Sequence, residues 1–401
     1  MGEHKEIHTR IQGIKRLFVL PAVVLVQSCL GGLYAWSAFA PSLQKDFGYT
    51  AGQTQLIFGL SIGAFTLSML LAGRLLLPWG PRRVALLGGL LFASGYLVSS
   101  ASDGQFLWIL IGSGLLVGVS IGFGYVAALT TGIQWFPTHK GLVTGAAVAG
   151  FGAGAIILSS LTEKLLHSGF TVLDLFRFVG LVYGAVVCIG ATFLFRPPPV
   201  PVQHRNVSVK ELLKDRVFLK LVTGIFCGTF AGLLVIGNLK SIAIDAGASS
   251  ETATAAISFF AVGNASGRLA WGWLFDRSGY PVIPASLLFL TLTLVLLLMV
   301  RHEAAAFSVC ALLIGFGFGA CFVVYAAQVA LHYGSEQVAS IYPLVFLAYG
   351  VAGITGPTLG GLLCDYTGSY LWALVAGIAV LTFGAWSTFR ISDQPELVDR
   401  R

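Results

Sequence analysis

"RPPPVPVQHRNVSVKELLKDR" (Arg196–Arg216) is the one long polar stretch between apolar runs in this 401-residue chain. Its prolines, Pro197 to Pro199, lack the amides that a continuing helix needs, so the chain must break here. The later "SVKELLKDR" predicts a short surface helix. On either side the sequence is oily. Hydrophobic residues make up 56% of the chain and charged residues only 10%, where a soluble domain carries about 25% charged. That balance predicts an all-α integral membrane protein. The 50 glycines lie inside apolar runs, which suits closely packed helices rather than disorder.

A helix needs about 20 apolar residues to cross the hydrocarbon core. The runs predict twelve transmembrane helices near 17–40, 55–79, 84–101, 106–136, 142–165, 173–195, 217–244, 252–275, 282–300, 305–331, 338–363 and 370–389. The polar stretch divides them six and six. The expected organisation is an N-terminal six-helix bundle at 1–195, a cytoplasmic linker at 196–216, a C-terminal six-helix bundle at 217–389 and a cytoplasmic tail at 390–401. With both termini placed in the cytoplasm, seventeen Lys and Arg fall on the inner side and five on the outer. That is a positive-inside pattern. The basic excess of +7 therefore reflects topology and not a nucleic-acid surface. The expected location is a plasma membrane, of the bacterial inner type.

The halves echo each other. "PWGPRRV" (78–84) corresponds to "DRSGYPV" (276–282), and "IGFGYV" (121–126) to "FGFGAC" (316–321). Parallel six-helix repeats are a transporter architecture, with the substrate site near the bilayer midplane. Glycine pairs spaced by four, such as Gly118 and Gly122 or Gly315 and Gly319, let helix backbones approach. "GFGAG" (150–154) follows no strand, so it is no dinucleotide loop.

"NASGRLAWGWLFDRSG" (Asn264–Gly279) holds two arginines in different company. Arg277 sits beside Asp276 in a polar turn. Arg268 lies eight residues inside Asp276, about 12 Å along a helix, close to the midplane of a core about 30 Å thick. An arginine there costs at least ~2.5–3.5 kcal/mol. None of the 17 acidic residues is predicted at that depth. An external carboxylate, bound by two parallel hydrogen bonds, is the expected partner. Satisfaction by helix carbonyls, tyrosine hydroxyls and water alone is the alternative. When the turns are superposed on Gly80 and Gly279, Met69 falls opposite Arg268, so the first half has no equivalent.

Asn264 shares the face of Arg268, one turn earlier. Tyr34, Tyr125, Tyr325 and Tyr349 are candidate wall residues, and Phe346 lies on the helical stripe of Tyr342, Tyr349 and Gly353. A tyrosine offers an apolar ring and one hydroxyl, which suits a small organic anion. Taken singly, each serves equally as packing.

Four stretches carry a family resemblance: "GFGYVAALTTGIQWFPTHKGLVTGAAVAGFGAGA" (122–155), "GRLAWGWLFDRSG" (267–279), "FLAYGVAGITGP" (346–357) and "GGLYAWSAF" (31–39). Together they resemble the oxalate/formate antiporter branch of the major facilitator superfamily, which is related to the monocarboxylate transporters. The resemblance implies the major facilitator fold, alternating access and a small carboxylate substrate. It implies that Arg268 grips the carboxylate and that Tyr34, Tyr125 and Tyr325 line the cavity. The oxalate-exchanging member has a lysine where Tyr349 stands. One cation suits a monocarboxylate such as lactate, pyruvate or formate. Animal monocarboxylate transporters carry Asp and a span-one lysine where this chain has Asn264 and Trp36, so their proton-carrying carboxylate is not at that position. Proton symport is the preferred mode and anion exchange the alternative. A major facilitator for an unrelated small solute also stays open. The second cytoplasmic turn keeps the superfamily's Gly272, Asp276, Arg277 and Gly279. The first has Leu77 and Pro78 in place of Asp and Arg. A one-sided gating lock at Gly272, Asp276 and Arg277 follows from the resemblance.

Other classes fit poorly. The seven histidines sit in tails, loops or span ends, and neither HExxH nor Gly-x-Ser-x-Gly occurs. No enzyme, cofactor or metal is expected. The six cysteines lack metal-type spacing. No long extramembrane domain suggests an obligatory protein partner. The expected partners are the carboxylate, protons and the lipid bilayer.

Overall fold

The computed structural model describes residues 2–49, 51–196 and 208–389, with only the backbone given for 2–14. Most of the expected linker and all of the expected tail lie outside the described residues. Within them, all regular structure is helical. The helices are α1 (Gly2–Leu30), α2 (Trp36–Phe47), α3 (Ala51–Trp79), α4 (Pro81–Ser100), α5 (Phe106–Ile109), α6 (Val117–Trp135), α7 (Lys140–His167), α8 (Val172–Thr192), α9 (Val209–Leu212), α10 (Arg216–Asp245), α11 (Ser250–Ser278), α12 (Val282–Val300), α13 (Ala304–Ala320), α14 (Val324–His332), α15 (Val338–Thr367) and α16 (Leu371–Thr388).

Eleven stretches among the described residues are long and apolar enough to cross a membrane. The twelfth, α11, is as long at 29 residues, but Asn264, Ser266, Arg268, Asp276 and Arg277 lower its hydropathy. The helix that fails on composition is the helix that carries the deep arginine. Three of the spans are interrupted. A 3₁₀ turn at Gly31–Ala35 separates α1 from α2. A π-helical stretch at Leu110–Leu116 joins α5 to α6. Residues 321–323 form a turn between α13 and α14, where Cys321, Phe322 and Val323 donate their amides to Phe318, Gly319 and Ala320, three residues back.

By contact, the chain divides into two compact units. One comprises Met1–Pro137, Ala146–Pro199 and Ser335–Pro343; the other comprises Thr138–Gly145, Val200–Gly334 and Leu344–Arg401. The opening turns of α7 and α15 thus cluster with the unit opposite to the one their place in the sequence suggests.

In the first unit, α4 packs on α8 and α3 on α6. A Cβ on Gly118 would lie 2.5 Å from the Ser61 carbonyl oxygen, which is why these helices need small residues where they cross. In the second unit, α11 and α13 form the most extensive pair. Gly263 and Gly267 of α11 abut the Leu312 and Phe316 carbonyls. Gly315 and Gly319 of α13 abut those of Phe260 and Asn264. Two small-residue faces therefore interlock, and any larger side chain would drive the backbones apart. The Trp271 indole seals one end by donating to the Phe316 carbonyl at 3.0 Å. Near the start of α10, Asp215 accepts from the Val217 amide at 2.8 Å and from the Tyr333 hydroxyl. Burial, then this contact, pushes the Tyr333 hydroxyl well above the ordinary tyrosine pKa.

Candidate functional site

The close α11–α13 crossing brings the middle of α11 against the break between α13 and α14. Arg268 is 1% exposed, and among the described residues it is the only charged side chain in the buried interior. Its Nε donates to Asn264 Oδ1 at 3.2 Å, as two residues one helical turn apart can do. Its guanidinium carbon lies 5.0 Å from the centroid of the Phe322 ring. Phe322 occupies the break itself, and the broken helix turns its ring toward the cation. A cation–π contact of this kind contributes about 1–2 kcal/mol. Tyr349 stands edge-on to Phe322 at 5.5 Å and stacks on Phe346 at 4.8 Å. Four of the expected site residues, Arg268, Asn264, Phe346 and Tyr349, are thus brought together in the second unit.

Tyr325 is placed elsewhere. Its ring is fully buried, and its hydroxyl lies where Gly224 of α10 leaves room, next to Thr388 of α16. Its position two residues beyond the break turns it toward α10 in the helix core of its own unit. That hydroxyl has no hydrogen-bond partner among the described residues.

Tyr34 and Tyr125 belong to a second aromatic cluster, inside the first unit. Tyr34 sits in the 3₁₀ turn and meets Phe151 edge-on at 5.6 Å. Tyr125 meets Phe151 at 5.6 Å and Phe65 at 5.3 Å. Gln27, fully buried on α1, donates Nε2 to the Tyr125 carbonyl at 3.4 Å. Its Oε1 is left without a partner among the described residues, although an unsatisfied buried acceptor is costly. Phe322, Phe65, Phe151 and Gln27 were not singled out in the sequence. Gln27 could have been: it is an amide inside an apolar run, seven residues and so two turns before Tyr34. Trp36 is buried and donates to the Thr54 carbonyl at 2.9 Å.

Asp276 and Gly272, expected to act as a gate, form a separate contact in the second unit. Asp276 Oδ1 accepts from the Gly141 amide at 2.7 Å and Oδ2 from the Leu142 amide at 2.8 Å. These are the first-turn amides of α7, which have no intrahelical partners. The carboxylate also faces the positive end of the helix dipole. Gly141 and Gly272 press backbone to backbone at this crossing. Arg277 takes no part in it: its guanidinium stacks on Trp273 at 3.9 Å. The contact is therefore a carboxylate on a helix end. In the first unit, Gly73 of α3 presses on the Ala339 carbonyl of α15 at a similar crossing. Leu77 stands where the resemblance would place the acid.

Sequence and structure comparisons find relatives along nearly the whole chain. The chain is 25% identical over 398 residues to the "Oxalate:formate antiporter" of Oxalobacter formigenes, covering 96% of this chain and 93% of the relative. It is 27% identical over 365 residues to "Monocarboxylate transporter 11" of Homo sapiens, covering 85% and 75%. Its fold is that of the transporter FucP, solved in the outward conformation, with a TM-score of 0.75 at 16% identity over 94% of this chain and 99% of that one. The Major Facilitator Superfamily profile matches residues 22–279 and 221–400. With eleven membrane-length apolar stretches and the long α11 among the described residues, and matches along nearly its whole length, this chain is an integral membrane transporter that belongs to the Major Facilitator Superfamily.

Proposed function

We propose that this protein moves a small monocarboxylate of the lactate, pyruvate or formate kind across the membrane by alternating access, with Arg268 binding the carboxylate. One observation carries the reading: the only charged side chain buried among the described residues lies midway along a span, on an aromatic wall. Guanidinium and carboxylate pair through parallel N–H donors, and Asn264 already fixes one edge of the fork. The rings of Phe322 and Tyr349 suit the short apolar body of a monocarboxylate, and a single deep cation balances a single negative charge. Relatives named for formate, oxalate and monocarboxylates support the substrate class.

Binding the anion neutralises Arg268 and lowers the desolvation penalty of closing the site over it. Closure requires different affinities in the two conformations, and neutralisation supplies that difference. Proton-coupled symport is the preferred mode, with the proton carried by the substrate or by water at Arg268. The alternative, exchange of one carboxylate for another, uses the same site. Asp276 acts as the gate by holding the first turn of α7, which has to be released before α7 can move against α11. The plasma membrane, with both termini in the cytoplasm, is the proposed setting.

Uptake of labelled lactate, formate and oxalate into proteoliposomes tests the proposal. Lactate or formate uptake should exceed oxalate uptake, be stimulated by an inward proton gradient and vanish in Arg268→Gln. Near-normal transport by both Arg268→Lys and Arg268→Gln removes the ligand role. Equal or better competition by oxalate overturns the monocarboxylate ranking.

A further inference from the structure

A second basic feature lies far from Arg268 in sequence and is not used in the transport reading. The turn between α3 and α4 and the segment after α8 together line a cavity of about 390 Å³, to which Arg82, Arg83 and Arg196 contribute. No aspartate or glutamate is among its lining residues. All three arginines are exposed, so their charges are available to an outside ligand. Arg196 is oriented by donating Nη2 to the Leu77 carbonyl at 2.7 Å. It lies across Gly80, where a Cβ would sit 3.4 Å from that same nitrogen. Gly80 has φ 78°, so glycine serves both the turn and the space above it. Lys15, with Nζ 5.6 Å from the Phe195 ring, adds a fourth positive charge beside the cavity wall.

The apolar surroundings decide what kind of anion fits. The cavity sits where three spans end, at Trp79, Pro81 and Thr192. Beside it, Leu77 is 71% exposed, Trp79 44% and Phe193 37%. Exposed tryptophan and leucine at a span end face the acyl and glycerol region of a bilayer. A free anion in water has no use for them, but a phospholipid has both parts. Basic pockets at the ends of transmembrane helices on the cytoplasmic side suit anionic headgroups, and the positive-inside pattern assigns this end to that side.

We infer that this cavity is a binding site for the phosphate headgroup of an anionic phospholipid, held by Arg82, Arg83 and Arg196, with its chains along Leu77, Trp79 and Phe193. The site is independent of which solute is transported.

The test uses the purified full chain in neutral detergent, with bound lipid counted by native mass spectrometry and thermal stability followed during titration. The probes are phosphatidylglycerol, phosphatidylcholine and inorganic phosphate. Phosphatidylglycerol should stay bound and raise the melting temperature, while phosphatidylcholine and inorganic phosphate should do neither at equal concentration. Arg82→Gln/Arg83→Gln/Arg196→Gln should weaken phosphatidylglycerol binding at least about tenfold, since each surface cation near an anionic lipid contributes severalfold. The matching triple lysine variant should retain most of the binding. Lys164→Gln/Lys210→Gln/Lys214→Gln, which removes the same charge elsewhere, should retain all of it. Equal binding of the two lipids overturns the proposal, as does a triple glutamine variant that binds like the wild type. Equal loss in the control variant reduces the effect to net charge. Stabilisation by inorganic phosphate alone makes the ligand a soluble anion. If the triple variant does not fold, Arg83→Gln and Arg196→Gln singly should each lose binding severalfold, and wild-type binding by both overturns the site.

Discussion

The two aromatic clusters are built alike and equipped differently. In the first unit, Tyr34 sits in a helix break with Phe151 against it. In the second, Phe322 sits in a helix break with Tyr349 against it. The first cluster includes Gln27, which is neutral; the second includes Arg268 and Asn264. At the superposed positions, the first unit has Met69 for Arg268 and Phe65 for Asn264, and both are buried. One cluster is thus an apolar wall with a single amide, while the other is the same kind of wall carrying a charge. On the proposed reading, the ionic group of the solute is bound by the unit that carries Arg268 and Asn264.

That division can be broken experimentally, and the largest effect is expected at the charge. Arg268→Gln should reduce carboxylate uptake in proteoliposomes by roughly 100-fold or more, on the scale of the 2–5 kcal/mol lost when one partner of a buried charge pair is truncated. Arg268→Lys should recover only part of it, because an ammonium cannot make the bidentate contact. The converse change, Met69→Arg, puts a charge into the apolar cluster, where no carboxylate is among the buried side chains described. It should lower the melting temperature and the yield of folded protein, at a cost of about 3 kcal/mol.

Next comes the gate. Asp276→Ala removes both acceptors from the first turn of α7, and losing a helix cap costs about 1 kcal/mol. Labelling of a cysteine introduced near the start of α7 should then change about fivefold in rate as the conformational balance shifts. An unchanged rate removes Asp276 from the gating role. The smallest pair sharpens the comparison. Phe322→Leu removes the cation–π contact and should raise KM for lactate about fivefold, on the scale of ~1 kcal/mol. Phe151→Leu should alter KM only about twofold if its cluster is an apolar wall, since near-isosteric core swaps cost little. A larger effect at Phe151 than at Phe322 would reverse the assignment of the two units.

Much of this was readable in the residues, for identifiable reasons. Span positions follow from apolar run length, so the run near 282–300 anticipates α12 at Val282–Val300. The short helix expected from "SVKELLKDR" appears as α9. Arg268 and Asn264 were legible because a charge and an amide are rare in an apolar helix. Phe322 was not, because a phenylalanine in an apolar run gives no sign of lying in a break. The surroundings of Tyr325 were hidden for a related reason. A tyrosine facing a ligand and one buried against Gly224 look alike until the phase of α14 after the break is known. Arg277 was read with Asp276 because the two are adjacent in sequence, yet neighbours on a helix point in different directions.

What the sequence determined by itself was the solvent of this protein and its one deep charge. Both follow from composition counted over lengths that a bilayer fixes. The tertiary structure alone decided which side chains share a site. The breaks at 31–35 and 321–323 and the glycine contacts of α11 on α13 set the rotation of each helix. A rotation of a hundred degrees per residue, once interrupted, is re-phased by packing between helices that lie far apart along the chain.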